Sequence, residues 1–347
     1  MNSPVRLRSV PGPKARVPAL PQQDRGDDAI AVVLNAAILG VRASEPVVAF
    51  LPAAAAKSPG EGALPCGPYR PSEHGTPEGG LRASVWAELG VELGFLQQLC
   101  TLSNRGAGRA ARSHVLSLCY LALVGPGQCI DRDGAAWHSW YAYFPWEDWR
   151  TGKPACLTND IEPRLRAWAA HGESHCAVTR PLNRRQRLCI AFGCDGATWD
   201  EEKVLERYEV LVEAGLIGEA PECARVAAAR LPWRTPRLSH PLAGDQARVL
   251  ASAIGELRRS IKCCPAVFEL MDEVFTLYEL QKTVEAILGP HLHKQNFRRL
   301  VEGYGLVEPT GDVRLRTGGR PARLYRFRRS VLLERAAPGV RVRPGRV

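Results

Sequence analysis

The segment that most restricts the possible folds is 245–327, where three helical stretches are followed by a glycine- and arginine-rich hairpin. Asp245 can cap the first helix, which is predicted over Gln246–Lys262. The second helix begins at a capping box, because the side chains of Thr276 and Glu279 can each satisfy a free amide at the helix start. A Gly-Pro pair ends this helix, and the third helix follows after a short connection. Two short helices joined by such a turn predict a helix-turn-helix.

The third helix begins at His293 or Lys294 and has an apolar and a polar face. The apolar residues recur at helical spacing and are Phe297, Leu300, Val301 and Tyr304. The polar face carries Gln295, Arg298, Arg299 and Glu302. Amide and guanidinium groups of this kind read base edges in the major groove of DNA. We therefore interpret this helix as a recognition helix.

A basic hairpin follows the recognition helix. Its strands are predicted at Val313–Arg316 and Ala322–Phe327, on either side of a turn over 317–321 that contains two glycines and an arginine. Glycines allow a close approach of backbone to a duplex, and arginines can reach phosphate or a minor groove. The hairpin is therefore predicted to be the wing of a winged helix-turn-helix.

The positive charge of the chain is concentrated in this region. The formal net charge is +10, and between His291 and Arg329 there are ten lysines and arginines against three acidic residues. Such a stripe favours a polyanionic partner, because binding releases counterions from the phosphate backbone. The alternative is a winged helix that serves as a protein-interaction module, with the charges forming a solvated face.

Within this domain the side chains divide into two predicted roles. The predicted base-edge readers are Gln295, Asn296 and Arg299. The predicted phosphate contacts are Lys294, Arg298, Arg316, Arg320 and Arg323. Asn296 has an alternative role, in which its amide caps or braces the turn.

Length and composition favour two domains in a cytoplasmic protein. At 347 residues the chain exceeds what a single core usually supports. Its apolar runs are too short to span a membrane, and the start of the chain has no signal-peptide core. The eleven cysteines include no C-x₂-C pair, and the cluster His171, His175 and Cys176 has no matching second pair at zinc-finger spacing. We expect buried, reduced thiols and no metal site.

The N-terminal half has the pattern of a mixed α/β domain. Asp28–Leu39 and Glu45–Phe50 predict two strands around a turn, and Val115–Val124 predicts a third. Leu81–Leu93 predicts an amphipathic helix that carries Glu88 and Glu92 on one flank, where both carboxylates can face one cation. The alternative for this acidic pair is a solvated helix flank.

The stretch Ala87-Glu-Leu-Gly-Val-Glu-Leu-Gly-Phe95 resembles the second half of a Nudix box, R-E-U-x-E-E-x-G-U, where U is aliphatic or aromatic. Glu88, Glu92 and Gly94 match, whereas Ala87 replaces the arginine and Val91 replaces one glutamate. The resemblance implies a Nudix-like fold whose metal site is vestigial and whose Mg²⁺-dependent hydrolysis is lost.

A second resemblance lies in the C-terminal segment. Phe275-Thr-Leu-Tyr-Glu-Leu-Gln281, Glu285-Ala-Ile-Leu-Gly289, Asn296-Phe-Arg-Arg299, Gly319-Arg-Pro-Ala322 and Leu324-Tyr-Arg-Phe327 are similar to the Nudix-related transcriptional regulators of NAD metabolism. That family implies an α+β fold (an α/β/α Nudix-like sandwich) with a C-terminal winged helix-turn-helix. It also implies a homodimer that represses NAD biosynthesis or salvage genes, with ADP-ribose or a related NAD derivative as effector and no required cofactor.

The remaining chain predicts an insertion that completes the sensor domain. The aromatic residues between 137 and 149 either pack in a core or interface or stack on an adenine ring. Arg180, Arg184 and Arg185 either bind a pyrophosphate or lie in a surface loop. The predicted domains are a disordered tail at 1–26, a Nudix-like ligand-sensing domain at 27–235, a winged helix-turn-helix at 240–330 and a basic tail at 331–347.

Two functional hypotheses follow from these patterns, besides the interaction module. The first is a repressor that binds double-stranded DNA and responds to a nucleotide effector, which either releases or promotes DNA binding. The second is an active Nudix hydrolase of ADP-ribose or NAD-type nucleoside diphosphates with a DNA-binding appendage.

Overall fold

The structure, a computed structural model, describes residues 30–52, 62–105, 114–130, 132–170, 182–217, 238–240, 242, 245–315, 321–334 and 340. The predicted tail at 1–26 and most of the predicted tail at 331–347 lie outside these residues, as do the His171, His175 and Cys176 cluster and Arg180. The structure therefore describes the elements within the predicted domains, but not all of the limits between those domains.

A mixed sheet organises the first half of the chain. Its strands are β1 (Ile30–Arg42), β2 (Glu45–Pro52), β3 (Gly62–Ala63), β4 (Cys66–Pro68), β5 (Phe95–Arg105), β6 (His114–Leu123) and β7 (Ala136–Ser139). The order is β3-β2-β1-β6-β5, with β4 paired to β1 and β7 paired to β2. The central pair β1–β6 is parallel, and the other pairs are antiparallel. The three predicted strands correspond to β1, β2 and β6.

Both faces of the sheet are buried. Successive residues of β1 alternate between two cores, with Leu34, Ala36 and Ile38 on one face and Ala37 and Leu39 on the other. A strand buried on both faces has no need of polar residues at every second position. This explains the continuous apolar run in the sequence of β1.

Helices pack on both faces of the sheet. The α-helices of the described residues are α1 (Pro71–His74), α2 (Pro77–Leu89), α3 (Glu162–Ala170), α4 (Arg184–Phe192), α5 (Val204–Glu213), α6 (Gln246–Cys263), α7 (Leu277–Leu288), α8 (Lys294–Gly303) and α9 (Val331–Glu334). Leu81, Val85 and Leu89 of α2 form the buried stripe on one face. On the other face α6 packs against β1, β5 and β6, and also against α5 and α7.

The prediction of a helix over Leu81–Leu93 is wrong at both ends. The helix begins at Pro77 because the Thr76 side chain accepts a hydrogen bond from the Gly79 amide, and it ends at Gly90, whose φ of 68° is left-handed. Glu92 therefore lies beyond the helix. The predicted flank shared by Glu88 and Glu92 does not exist.

One smaller helix prediction also needs correction. Asp245 occupies the N-cap position of α6, but its side chain makes no capping hydrogen bond and pairs with Arg248 at 2.6 Å. The helix α5 begins at Val204 after a non-helical turn. Within the described residues, no helix is long and apolar enough to cross a membrane.

A buried ionic cluster fastens these layers together. Glu147 is fully buried and accepts hydrogen bonds from Arg207 Nε at 2.6 Å and from Arg258 Nη1 at 2.5 Å. Arg207 lies on α5 and Arg258 on α6, and both are buried with their acceptor. Burial alone would raise the pKa of Glu147, but the two guanidinium groups outweigh it and hold the pKa below its usual value.

Replacing Glu147 by glutamine should lower the free energy of unfolding by about 3 kcal/mol or more, because two buried guanidinium groups lose their counter-charge. Denaturant unfolding of the variant and the wild type measures the loss. The matched control is Glu209→Gln, whose partner Arg248 is about one-third exposed at 34%. It should cost less than about 1 kcal/mol. Equal losses in the two variants would contradict this role for the cluster.

Candidate nucleic-acid interface

The first helix of the helix-turn-helix, α7, begins at the predicted capping box. The Thr276 hydroxyl accepts from the Glu279 amide at 3.2 Å, and a Glu279 carboxylate oxygen accepts from the Thr276 amide at 2.8 Å. Just before this box, the backbone of Phe275 exchanges two hydrogen bonds with Tyr325. The prediction of the capping box is confirmed, and the start of α7 is joined to the hairpin.

The turn between α7 and α8 is organised by one carboxylate. Glu285, which is 4% exposed, accepts from the Leu292 amide at 3.0 Å and from Gln281 Nε2 at 2.8 Å. Its second oxygen accepts from Lys282 Nζ at 2.7 Å and lies 3.3 Å from His291 Nδ1. Burial would raise the pKa of Glu285, but these donors, Lys282 foremost, lower it. The charged side chain therefore holds the turn in one conformation.

Sequence reasoning missed the role of Glu285. Its signal is a Gln281–Glu285 pair, spaced one helical turn apart, on a helix whose neighbouring positions are apolar. Polar residues at core spacing need partners, and here the partners are backbone groups of the following turn.

The recognition helix α8 has the predicted orientation. Phe297 and Val301 are buried, while Lys294, Gln295, Asn296, Arg298 and Arg299 are all exposed. Among the described residues, no side-chain partner engages Lys294, Gln295, Asn296 or Arg299 through a hydrogen bond or ion pair. Within the same described residues, the Asn296 amide makes no hydrogen bond that would brace the turn. Its role as a base reader stays a prediction.

Arg298 differs from its neighbours on α8. Its Nε lies 3.1 Å from Glu302, and its Nη2 donates to the Tyr325 hydroxyl at 3.5 Å. The Tyr325 contact joins the guanidinium to the hairpin, and the Glu302 contact pairs its charge within α8. Arg298 is therefore less available for a phosphate than Lys294 or Arg299.

The wing consists of β8 (Val307–Arg314) paired antiparallel with β9 (Ala322–Phe327). The strand predicted from Val313 begins six residues earlier, because Val307 pairs with Phe327 at the base of the hairpin. The pairing register shifts inside β8 between Pro309 and Val313, where Gly311 has a φ of 93°. Arg323 is exposed, whereas Arg316, Arg320 and most of the predicted turn lie outside the described residues.

In the Nudix-like half, the two acidic residues of the predicted metal site have different surroundings. Glu88 is half-buried, and its Oε2 has no hydrogen-bond partner in the described structure. Burial raises its pKa to about 7. Glu92 is exposed. No group of three His, Cys, Asp or Glu side chains within the described residues has metal-binding geometry.

The insertion residues are used mainly for packing. Trp140, Tyr141, Tyr143, Phe144 and Trp146 are at most 5% exposed and belong to the core. Arg184 stacks on the Trp168 ring, and Arg185 pairs with Asp195 at 3.2 Å. These contacts favour the core interpretation of the aromatic residues. The described cysteines are free thiols, and Cys119 and Cys194 are buried.

Comparison with known proteins identifies the C-terminal unit. The family model described as "NrtR DNA-binding winged helix domain" matches residues 267–327. This segment is therefore similar to the DNA-binding winged helix domain of NrtR.

Two relatives extend the comparison. The ADPR responsive transcriptional repressor NtrR of Acinetobacter baylyi is 41% identical over 86 residues, which cover 25% of this chain and 34% of that protein. The chain thus spans about a third of the length of this curated relative. A crystal structure of Shewanella oneidensis NrtR complexed with a 27mer DNA matches with a TM-score of 0.50 and 18% identity, covering 86% of this chain and 94% of that chain.

The NrtR likeness settles the fold class. At 18% identity the structural match shows the fold alone, and it spans both the sheet and the winged helix domain. The resemblance to the Nudix-related regulators is confirmed, as is the combination of an α/β/α sandwich with a C-terminal winged helix. The predicted roles of individual residues remain to be tested.

Replacing Glu88 by glutamine should flatten the pH dependence of stability. The pKa of Glu88 in the folded protein, about 7, is above its ordinary value of 4.5. Ionisation of Glu88 therefore disfavours folding, and the free energy of unfolding falls as the pH rises between those two values. Relative to wild type, Glu88→Gln should gain stability on going from about pH 5 to about pH 8, as read from denaturant midpoints. The control is Glu92→Gln, which is exposed and should follow the wild type. A parallel curve for Glu88→Gln would argue against its burial.

Proposed function

We propose that this protein is a transcriptional repressor that binds double-stranded DNA through α8 and the wing and responds to ADP-ribose or a related NAD derivative. The observation that carries the proposal is α8, which buries Phe297 and Val301 and leaves a row of unpaired amide and cationic side chains exposed among the described residues. The winged helix domain is of the NrtR type, and the Acinetobacter baylyi relative is named as an ADPR-responsive repressor.

The proposed contacts follow from the surroundings of each side chain. Gln295, Asn296 and Arg299 would read base edges, because they are exposed and uncommitted within the described ranges. Lys294 and Arg323 would contact phosphates, together with Arg316 and Arg320. Arg298 would contact phosphate more weakly, since its guanidinium is already paired with the Glu302 carboxylate.

The proposed targets are NAD biosynthesis or salvage genes, bound by a homodimer in the cytoplasm. Two recognition helices of a dimer engage half-sites about one helical turn apart, so a small change in their spacing weakens binding. An effector alters DNA affinity only if it binds one arrangement better than the other. The Nudix-like domain would supply that differential binding, with Glu88 and Glu92 as a vestigial metal site.

Arg299→Ala should weaken binding to a duplex from upstream of NAD-metabolism genes by about 10- to 100-fold and relax base preference, because a base contact is lost. Lys294→Ala should weaken binding to all duplexes similarly and reduce the salt slope by about one. A fluorescence titration at several salt concentrations measures both. Arg166→Ala is the control, since it removes the same charge from α3 on the sensor side. Equal binding to operator and scrambled duplexes by the wild type would refute the proposal.

The second candidate is a hydrolase of ADP-ribose or NAD-type nucleotides, favoured by the half-buried Glu88, which stands at a Nudix-box position. Against it, Val91 is fully buried in the core beside α2, and Ala87 lacks the guanidinium that would brace the carboxylates. Incubation of the protein with ADP-ribose and Mg²⁺ should therefore release no AMP beyond the rate without protein. Sustained turnover, measured by chromatography and abolished in Glu88→Gln, would establish the hydrolase instead.

A further inference from the structure

The C-terminal end of α7 is capped by side chains from outside the helix-turn-helix formed by α7 and α8. The last carbonyl groups of a helix have no partner within the helix and need donors from elsewhere. The Tyr141 hydroxyl donates to the Ala286 carbonyl at 2.8 Å, and Arg258 Nε donates to the Ile287 carbonyl at 2.9 Å. Both donors are buried, with Tyr141 5% and Arg258 1% exposed. Water therefore cannot easily replace them.

A steric contact accompanies these two hydrogen bonds. Gly289 follows the last residue of α7 with a φ of 98°, and a Cβ built there would lie 3.0 Å from the Trp149 Cβ. Trp149 in turn packs on Trp199, whose ring covers the Arg207 guanidinium at 3.9 Å. The end of α7 is thus held by Tyr141, Arg258 and Trp149, and none of the three belongs to the helix-turn-helix.

The segment that carries Tyr141 reaches both sides of the sheet. Trp137, on β7, packs with the core between the sheet and α2, and its ring is stacked by Arg42 at 4.5 Å. Four residues later Tyr141 lies in the core on the opposite face, against α7. The strand β7 is hydrogen-bonded to β2, and only three residues separate Trp137 from Tyr141. A displacement of Trp137 on the α2 side of the sheet would therefore be passed along this short backbone segment to Tyr141.

The end of α7 is hydrogen-bonded to the turn that leads into α8. Glu285, in the last turn of α7, accepts from the Leu292 amide, and Gln281 donates to the Leu292 carbonyl at 2.8 Å. The turn between the helices therefore has two polar attachments to α7. A shift of the last turn of α7 is passed on to the recognition helix.

We propose that Tyr141 is a positioning residue for DNA binding: its hydrogen bond to Ala286 transmits the ligand state of the Nudix-like domain to α7 and thereby to α8. The inference rests on the proposed function and adds the route by which the effector acts. Tyr141 contacts neither DNA nor effector in this scheme.

The test compares two buried tyrosines whose hydroxyl groups have different partners. Tyr141→Phe removes the bond to Ala286, whereas Tyr143→Phe removes a hydroxyl that lies 3.2 Å from His138 Nδ1, inside the sensor domain. Each full-length variant is titrated with operator DNA, with and without saturating ADP-ribose. The readout is the ratio of the two dissociation constants, which a purely structural role would leave unchanged.

In Tyr141→Phe we expect this ratio to move toward one by about fivefold, the equilibrium factor that one hydrogen bond is typically worth. Binding of ADP-ribose itself, measured by calorimetry, should stay within about twofold of wild type. Tyr143→Phe should keep the wild-type ratio. An unchanged ratio in Tyr141→Phe overturns the inference, and so does an equal loss in both variants.

The wild type separates the inference from the proposed function. If the wild-type protein binds no operator DNA, or if its affinity for operator DNA does not change with ADP-ribose, both the proposed function and the inference are overturned. If Tyr141→Phe does not fold, amide hydrogen exchange of the wild type decides. The amides of Ala286–Gly289 should change protection on addition of ADP-ribose, and unchanged protection there overturns the inference.

Discussion

Glu147 is a carboxylate without access to water, and three separate segments of the chain meet on it. The arginines of α5 and α6 neutralise it, and their remaining donors satisfy carbonyl groups at Ala191, Asp200 and Ile287. A buried ion pair adds little net stability when its desolvation is counted, but a buried charge left unpaired is costly. The cluster therefore acts mainly as a constraint, because any arrangement that separates α5 or α6 from the segment that carries Glu147 exposes or unpairs a charge.

The C-terminal domain was largely predictable because its information is local. A capping box, a Gly-Pro pair and an apolar stripe of helical period lie within a few residues of one another, and each has one dominant structural meaning. The burial of Phe297 and Val301 and the exposure of Lys294 and Arg299 follow directly from that period. The strands β1, β2 and β6 were also predictable, since long apolar runs bounded by turns have few other interpretations.

Apart from the ends of α2, what sequence reasoning missed depends on contacts between residues that are distant in the chain. The ends of α2 were misplaced because Thr76 and Gly90 compete with equally plausible signals at Leu81 and Gly94. The first strand of the wing was predicted too short, since Val307 joins it only through pairing with Phe327. Neither Glu285 nor Tyr141 could be assigned a role, because the Leu292 amide and the Ala286 carbonyl that they bind are placed by tertiary structure.

The two-sided burial of the sheet has a consequence for how the chain is made. The sheet is complete at β7, yet one of its faces is covered by α6, which ends only at Cys263. At a synthesis rate of roughly 5–20 residues per second, that apolar face stays bare on the ribosome for on the order of ten seconds. Partly synthesised chains therefore expose an apolar surface that favours aggregation. Covering the sheet also brings in the helix that bears Arg258, so the Nudix-like half reaches its final packing only as the winged helix domain begins to emerge.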